Sequence, residues 1–271
     1  MKIIRYQDPN GRICHGVENE RSSYFRAEGD LFAGLQATRE AAQVAKLLAP
    51  LVPHTIWCIG LNYQNHAAEA GMTLPEFPVV FAKAQNSIQN PGDPILLPAG
   101  EYSTQVDYEC ELVVIIGKKC KNVSRGRALE YVAGYTCGND VSARDWQLKW
   151  GGTQWCRGKG FDTFAPLGPC LATPETIPDP NALRIQTLLN GQIMQDWNTN
   201  DMVFSVPALI EFLSRSTTLF PGTAIFTGTP QGVGMAQTPP RWLRNGDEVS
   251  IVIEKIGALT NPVGLEPPAA T

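Results

Sequence analysis

The sequence contains no long apolar run. Its 271 residues are 43% hydrophobic, yet the apolar stretches are far shorter than the roughly 20 residues that a membrane-spanning helix requires. The N-terminal segment also lacks an extended apolar region and soon reaches an acidic residue, so neither a signal peptide nor an arginine-rich transit peptide is predicted. We therefore expect a cytoplasmic protein that has no membrane partner.

Patterns typical of disulfide, zinc and nucleotide-binding proteins are also absent. The seven cysteines are odd in number and scattered, and no C-x-x-C motif occurs, so reduced thiols are expected rather than disulfides or a zinc site. The sequence has neither a phosphate-loop lysine motif nor G-x-G-x-x-G, which argues against nucleotide binding. The formal net charge of −4 gives no electrostatic basis for binding nucleic acid.

Short strand patterns dominate what is present. Segments rich in β-branched and aromatic residues predict strands over residues 2–7, 12–18, 55–59, 79–82, 106–116, 131–137, 183–189, 223–227 and 249–256. Helical patterns predict helices over 38–48 and near 62–70, 125–131 and 205–214. This order favours a β-rich α+β fold over a doubly wound sheet. Pro50 and Pro53 suggest a boundary between a small N-terminal α/β region, 1–54, and a main domain, 55–265.

The most informative segment is the strand pattern over 106–117, which contains three acidic residues. Side chains alternate between the two faces of a strand, so Asp107, Glu109 and Glu111 are expected on one face, with neighbours roughly 7 Å apart. Asp140 follows a later strand and adds another carboxylate. Carboxylates without Cys or His favour Mg²⁺, Mn²⁺ or Ca²⁺. The alternative is an exposed acidic face that pairs with the lysines after the strand.

Three further groups of residues are candidates for chemistry. His66 and Glu69 are neighbours on a predicted helix, where a carboxylate raises the basicity of an imidazole; the alternative is a surface pair. Arg144, Gln147 and Lys159 combine charges that can hold a substrate carboxylate, or they are simply surface charges in a loop. The glycine-rich segment 227–234 offers backbone amides and a threonine to an anion, or it forms a tight turn between strands.

Together these segments resemble the fumarylacetoacetate hydrolase family, in particular its small members without the long N-terminal domain. The matching motifs occur in the family's order over roughly residues 57–257. They are Ile59-Gly60-Leu61-Asn62-Tyr63 with His66 and Glu69, Asp107-Tyr108-Glu109-Cys110-Glu111, Gly138-Asn139-Asp140 with Arg144, Lys159 with Phe161-Asp162, Asn190-Gly191, and Thr227-Gly228-Thr229-Pro230.

The resemblance implies a mixed β-sandwich roll, a homodimer, and a bound Mg²⁺ or Mn²⁺. The implied metal ligands are Glu109, Glu111 and Asp140. The implied catalytic residues are His66, Glu69 and Lys159. The implied substrate contacts are Tyr63, Arg144, Gln147, Lys159 and Thr229. Asp107 is expected to support these groups rather than to bind the metal.

The chemistry implied by the resemblance acts on a 2-oxo acid or 1,3-dicarbonyl through a metal-stabilised enolate. Hydrolysis of a C–C bond in an acylpyruvate is the first choice. Tautomerisation or decarboxylation of oxaloacetate is the alternative, because Asp145-Trp146-Gln147 with Gly158-Lys159 resembles the subgroup linked to oxaloacetate tautomerisation. A related dicarbonyl of secondary metabolism and a catalytically idle, dicarboxylate-binding member also remain open.

Overall fold

The structure is a computed structural model that describes residues 1–19, 23–99, 101–150, 152 and 154–267. Within these residues the chain forms nineteen strands and three α-helices, numbered here in chain order. The strands are β1 (Lys2–Gln7), β2 (Ile13–Glu18), β3 (Tyr24–Asp30), β4 (Gly34–Ala41), β5 (Lys46–Leu48), β6 (Ile56–Gly60), β7 (Val79–Lys83), β8 (Ile88–Gln89), β9 (Ile95–Leu97), β10 (Val106–Asp107), β11 (Cys110–Ile116), β12 (Val132–Asn139), β13 (Ser142–Ala143), β14 (Ala165–Ala172), β15 (Arg184–Leu189), β16 (Gln192–Asn198), β17 (Ala224–Phe226), β18 (Glu248–Ile253) and β19 (Gly257–Leu265). The helices are α1 (Gln64–Glu69), α2 (Trp155–Lys159) and α3 (Val206–Ser214). Arg125–Tyr131 forms a 3₁₀ helix and Asp145–Lys149 a π-helical turn.

Two mixed sheets enclose the core. The larger sheet has the order β4-β3-β2-β1-β14-β12-β11-β17-β6-β7, with β5 and β8 attached to β1 and β14. The smaller sheet has the order β16-β15-β18-β19-β9, while β10 and β13 pair separately. Most pairs are antiparallel, but β17 lies parallel to β6 and β19 parallel to β9. These sheets confirm the β-rich α+β fold predicted from the sequence.

The burial of each strand explains its place in a sheet. Every residue of β11 is buried, which suits a central strand that is covered on both faces. In β15 and β18 buried residues alternate with more exposed ones, as expected for a sheet that packs on the core through one face. The inward residues of the small sheet belong to the same apolar cluster as Leu112 and Val114 of β11. The core therefore lies between the two sheets.

The N-terminal region consists of strands within the described residues. The helix predicted over 38–48 is wrong, because β4 ends at Ala41 and 46–48 form β5. The spacing of Ala42, Ala45 and Leu48 favoured a helix, but β4 instead pairs with β3. Thr38 of β4 donates a hydrogen bond to the carbonyl of Arg26 at 2.9 Å. Sheet pairing has overridden a weak local helical preference. Because β1 pairs with β14, this region extends the large sheet, and the division at residue 54 stays a prediction.

The other main elements agree with the sequence patterns, with one interruption. Helices α1 and α3 and the 3₁₀ helix lie where helices were predicted. The single strand predicted over 106–116 is divided into β10 and β11 by residues 108 and 109. Among the described residues, no helix is both long and apolar enough to cross a membrane.

Candidate active site

Pairing between β11 and β12 brings the predicted metal carboxylates together. Cys110 lies opposite Asn139, the last residue of β12, so Asp140 emerges beside Glu109. The Asp140 amide donates to the Glu109 carbonyl at 3.0 Å. One oxygen from each of Glu109, Glu111 and Asp140 lies within 4.8 Å of the others. All three residues are at most 5% exposed, which excludes the alternative of a solvated acidic face.

Two buried cations lie among these carboxylates. Lys159, at the end of α2, places its Nζ 2.8 Å from Oε2 of Glu109 and 2.6 Å from Oδ2 of Asp140. Arg144 lies 2.6 Å from Glu109 and 2.9 Å from Asp107. Arg144 and Lys159 are only 3% and 2% exposed, so the alternative of surface charges in a loop is wrong for both. Asp107 contacts Arg144 rather than joining the cluster of three.

The two glutamates of the pair respond differently to this environment. Burial alone would raise the pKa of Glu109, but Lys159 and Arg144 more than offset it and hold the pKa below its usual range. Burial raises the pKa of Glu111, and the nearby Asp140 and Glu109 raise it further. Both directions follow from the charge found beside each carboxyl group. Glu111 is therefore the carboxylate whose ionised form lacks sufficient positive charge nearby.

A third buried cation was missed by sequence reasoning. Lys83, the last residue of β7, lies 2.7 Å from Oδ1 of Asp140 and donates to the carbonyls of Val141 at 3.0 Å and Phe164 at 2.9 Å. It also donates to the carbonyl of Lys159. Burial lowers the pKa of Lys83, and the charge of Asp140 offsets only part of this effect. The only signal in the sequence was a lysine at the end of an apolar strand, and nothing there indicated its partner.

The donor set of this site suits a hard divalent cation. Four buried carboxylates, Asp107, Glu109, Glu111 and Asp140, face three buried cations, Lys83, Arg144 and Lys159. Glu111 forms no ion pair among the described residues and accepts one hydrogen bond from the Gly228 amide, at 2.8 Å. Three carboxylate ligands and excess negative charge are what Mg²⁺, Mn²⁺ or Ca²⁺ prefers. The residues therefore fit a divalent metal.

The predicted pair of His66 and Glu69 lies at the same site. His66 is 6% exposed, and its Nδ1 lies 3.3 Å from Oε2 of Glu69 on the next turn of α1. The burial of His66 excludes a simple surface pair. Because Glu69 contacts Nδ1, the imidazole's Nε2 remains for a ligand. His66 lines a cavity together with Glu109, Glu111, Arg144, Gln147, Lys159 and Thr229.

Not every predicted contact lines this cavity. Asp140 contacts Lys159 and Glu69 contacts His66, but neither carboxylate lines the cavity. Tyr63 is fully buried, and its hydroxyl has no hydrogen-bond partner among the described residues. It is not among the residues that line the cavity, so its role as a substrate contact stays a prediction. Apolar side chains that were not predicted as site residues also line the cavity: Ile59, Leu61, Met72, Leu148, Trp155 and Met235.

The glycine-rich loop binds carboxylates that belong to the protein itself. The Gly228 amide donates to Glu111 at 2.8 Å, and the Gly232 amide donates to Glu69 at 2.9 Å. Further along, the amides of residues 234 and 235 donate to Asp107. Gly228 has a φ of +98°, and a Cβ there would lie 2.7 Å from that of Asn62. The backbone amides of this loop therefore bind the carboxylates of Glu111, Glu69 and Asp107 and hold them in place.

The chain is similar to known proteins of one family. The chain belongs to the fumarylacetoacetate (FAA) hydrolase C-terminal family, whose model matches residues 55–264. It is 50% identical over 227 residues to a fumarylacetoacetate hydrolase domain-containing protein 2 homolog of Dictyostelium discoideum, covering 80% of this chain and 74% of that protein. It is 49% identical over 218 residues to a mitochondrial oxaloacetate tautomerase of Xenopus laevis, covering 80% and 68%.

A solved structure supports the same family. The 2-hydroxyhepta-2,4-diene-1,7-dioate isomerase of Mycobacterium marinum superposes with a TM-score of 0.84 at 36% identity, covering 99% of this chain and 100% of that one. The family, the fold and the acidic cluster define an enzyme with a site suited to a divalent metal. Two of these three similar proteins are named as a tautomerase and an isomerase, and none of the three matches establishes hydrolysis.

Proposed function

We propose that this protein catalyses the enol–keto tautomerisation of oxaloacetate or a closely related 2-oxo dicarboxylate. The observation that carries the proposal is one cavity lined by His66, by two carboxylates of the acidic cluster and by the cations Arg144 and Lys159. The similarity to an oxaloacetate tautomerase supports the choice of substrate. This choice reverses the order expected from the sequence, in which acylpyruvate hydrolysis came first.

The charged groups account for binding a dianion. Glu109, Glu111 and Asp140 would hold Mg²⁺ or Mn²⁺, which supplies positive charge to the carboxylate and keto oxygens of a 2-oxo acid and stabilises enolate charge. Lys159 contacts two of those carboxylates, and its pKa is raised because their charge outweighs the effect of burial. The raised pKa favours the charged form of Lys159, which suits a cation that binds a substrate oxygen rather than a base. Arg144 offers a planar set of donors to a second carboxylate.

The proton transfer requires one group that both accepts and donates a proton. In the conversion from enol to keto form, the enol oxygen loses a proton and the adjacent carbon gains one. His66 suits this exchange, because Glu69 contacts Nδ1 and leaves Nε2 directed away from that carboxylate. The Gly232 amide fixes Glu69 from the other side, at 2.9 Å. Apolar side chains such as Trp155 and Met235 limit the access of water to the carbon.

Hydrolysis of an acylpyruvate is the second candidate, and the same pair of residues favours it. His66 backed by Glu69 is suited to activating a water molecule that attacks a carbonyl carbon. Hydrolysis needs space for this water and for the acyl group, whereas tautomerisation needs neither. The cavity has a volume of about 50 Å³ and is lined by apolar side chains as well as by the charged groups. This small volume favours tautomerisation, which needs no additional water molecule.

One assay separates these reactions. The purified protein is given oxaloacetate or acetylpyruvate with Mg²⁺ or Mn²⁺, and enol absorbance and pyruvate release are followed separately. Faster loss of the oxaloacetate enol without pyruvate supports the tautomerase, whereas pyruvate from acetylpyruvate supports the hydrolase and pyruvate from oxaloacetate supports a decarboxylase. Equal turnover after complete removal of divalent metal would contradict all three versions of the proposal.

A homodimer, a cytoplasmic location and the choice of Mg²⁺ or Mn²⁺ are further parts of the proposal. The dimer is an implication of the family resemblance, and light scattering of the purified protein tests it. Titration with each cation, read by turnover and by thermal stability, tests which metal supports activity. Imaging of the tagged full-length protein in its own cells tests the location.

A further inference from the structure

A glutamine of the small sheet contacts both β11 and the glycine-rich loop 227–234. Gln195 lies on β16 and is 1% exposed. Its Oε1 accepts hydrogen bonds from the Cys110 amide at 3.1 Å and from the Thr187 hydroxyl at 2.7 Å. Its Nε2 donates to the Thr229 hydroxyl at 2.9 Å and to the Pro230 carbonyl at 2.8 Å. Both ends of the amide are thus satisfied inside the protein.

The partners of Gln195 fix the direction of each of these hydrogen bonds. The Cys110 amide can only donate and the Pro230 carbonyl can only accept, so the amide of Gln195 has one possible orientation. Nε2 must then donate to Thr229, whose hydroxyl oxygen acts as the acceptor. The hydroxyl proton of Thr229 remains for another partner. The nearby Cys110 thiol is a weak acceptor, whereas an oxygen of a ligand in the cavity that Thr229 lines is a strong one.

The same glutamine holds the loop that fixes two site carboxylates. Thr229 and Pro230 lie between Gly228, whose amide binds Glu111, and Gly232, whose amide binds Glu69. At Gly232, with a φ of +95°, a Cβ would lie 2.3 Å from the carbonyl oxygen of residue 194. The loop therefore lies directly against β16. The hydrogen bond from the Cys110 amide to Gln195 connects β16 to β11, which carries Glu111.

We propose that Gln195 is a positioning residue that makes Thr229 a hydrogen-bond donor toward an oxygen of the bound 2-oxo acid. It also keeps the loop 228–232 in register with β11, the strand that begins at Cys110 and carries Glu111. The first part rests on the proposed function, because it assumes an anionic ligand beside Thr229. Gln195 itself touches neither the cavity nor the metal ligands' side chains, so it acts through the loop.

Binding of a stable ligand tests this inference without turnover. Oxalate, a planar dianion that presents adjacent oxygens, is titrated by calorimetry into the Mn²⁺-loaded protein, and Mn²⁺ alone is titrated in parallel. Gln195→Met keeps the side-chain length but removes every hydrogen bond, and we expect it to weaken oxalate binding about tenfold. Gln192→Met, at the exposed start of the same strand, is the matched control and should bind as the unchanged protein does. Unchanged oxalate affinity in Q195M would overturn the proposal.

A double-mutant cycle tests whether Gln195 acts through Thr229. Thr229→Val removes the hydroxyl and keeps the β-branched shape. If the two residues act as one unit, the double variant should lose no more oxalate affinity than the weaker-binding single variant. Losses that multiply independently would refute the coupling. If Q195M does not fold, Gln195→Asn provides the measurement, because the shorter amide keeps the polarity of the site but does not span the distance from the Cys110 amide to Thr229.

The outcomes separate this inference from the proposed function. A protein that binds oxalate through this network but leaves oxaloacetate unchanged would contradict the tautomerase and retain the role of Gln195. A protein that converts oxaloacetate equally well with Q195M would contradict only the role of Gln195. In the expected case KM for oxaloacetate rises about tenfold in Q195M and kcat changes less, a split that a general loss of folded protein would not produce.

Discussion

Replacing Glu111 by glutamine tests whether the charge of Glu111 destabilises the metal-free protein and is stabilised by a bound divalent metal. Glu111 is 1% exposed, and burial together with Asp140 and Glu109 raises its pKa. Glu111→Gln is close to the protonated residue in shape, and its amide oxygen can still accept from the Gly228 amide. We expect the variant to be more stable than the unchanged protein when no divalent metal is present.

The size of the effect follows from the geometry of the cluster. The three carboxylates have oxygens within 4.8 Å of one another, and two unit charges at this distance repel by about 3.5 kcal/mol at an effective dielectric constant of about 20. Glu111 has two such neighbours, while Lys159 offsets part of this repulsion. A net gain of about 1–4 kcal/mol is reasonable for removing a poorly paired buried charge. That gain corresponds to a rise in Tm of several degrees.

The pH dependence gives the sign of the effect. Folding raises the pKa of the Glu111 carboxyl group, so the folded protein favours its protonated form. The free energy of unfolding therefore falls as pH rises from the usual glutamate range through the raised pKa. The metal-free unchanged protein should therefore lose stability relative to E111Q over that range. Asp107, whose pKa is raised by burial, is present in both proteins and cancels in the comparison.

Thermal unfolding followed by circular dichroism, in chelator or in excess Mg²⁺, measures these differences. Added Mg²⁺ should stabilise the unchanged protein increasingly as pH rises, and it should have little effect on E111Q, which lacks one ligand. Glu248→Gln, at an exposed position of β18, is the control and should follow the unchanged protein. Two results would refute the reasoning: an E111Q variant that is less stable in chelator at neutral pH, or one that keeps the full stabilisation by Mg²⁺.

Three other changes have definite expected outcomes. Lys83→Met removes the partner of Oδ1 of Asp140 and the donor to two buried carbonyls, although Lys159 still pairs with Oδ2, so the free energy of unfolding in urea should fall by about 3 kcal/mol; an unchanged urea midpoint would show that the contacts of Lys83 are not stabilising. His66→Asn should lower kcat on the oxaloacetate enol by about 10²–10⁴-fold with a smaller change in KM, and full activity would remove His66 from the mechanism. Gly60→Ala places a Cβ 2.2 Å from the Trp155 ring, so it should alter tryptophan fluorescence and cost about 1–3 kcal/mol of stability; an unperturbed spectrum would mean that the ring moves aside freely.

Local sequence patterns predicted the elements whose preference agrees with their tertiary environment. The continuous apolar run of β11 predicted a strand, and every residue of that strand is buried. The pattern and its tertiary environment agree, because a central strand is covered on both faces. The stripe at 38–48 misled for the opposite reason, since alanines favour a helix locally while β3 offers a partner strand. Whether such a partner is near enough to pair is not visible in the segment itself.

The sequence determined which chemical groups are available and which of them share a local element. Glu109 and Glu111 are two residues apart in one segment, although Glu109 lies just before β11, and His66 and Glu69 lie on one helix. Both spacings depend on the local period of the backbone, so both pairs were predictable. Only the tertiary structure showed that Lys83 forms an ion pair with Asp140 and that Gln195, from the other sheet, accepts a hydrogen bond from the Cys110 amide. These contacts join residues distant in sequence, and their partners are selected by how two sheets pack. The same packing turns an acidic strand into a buried site that fits a divalent metal.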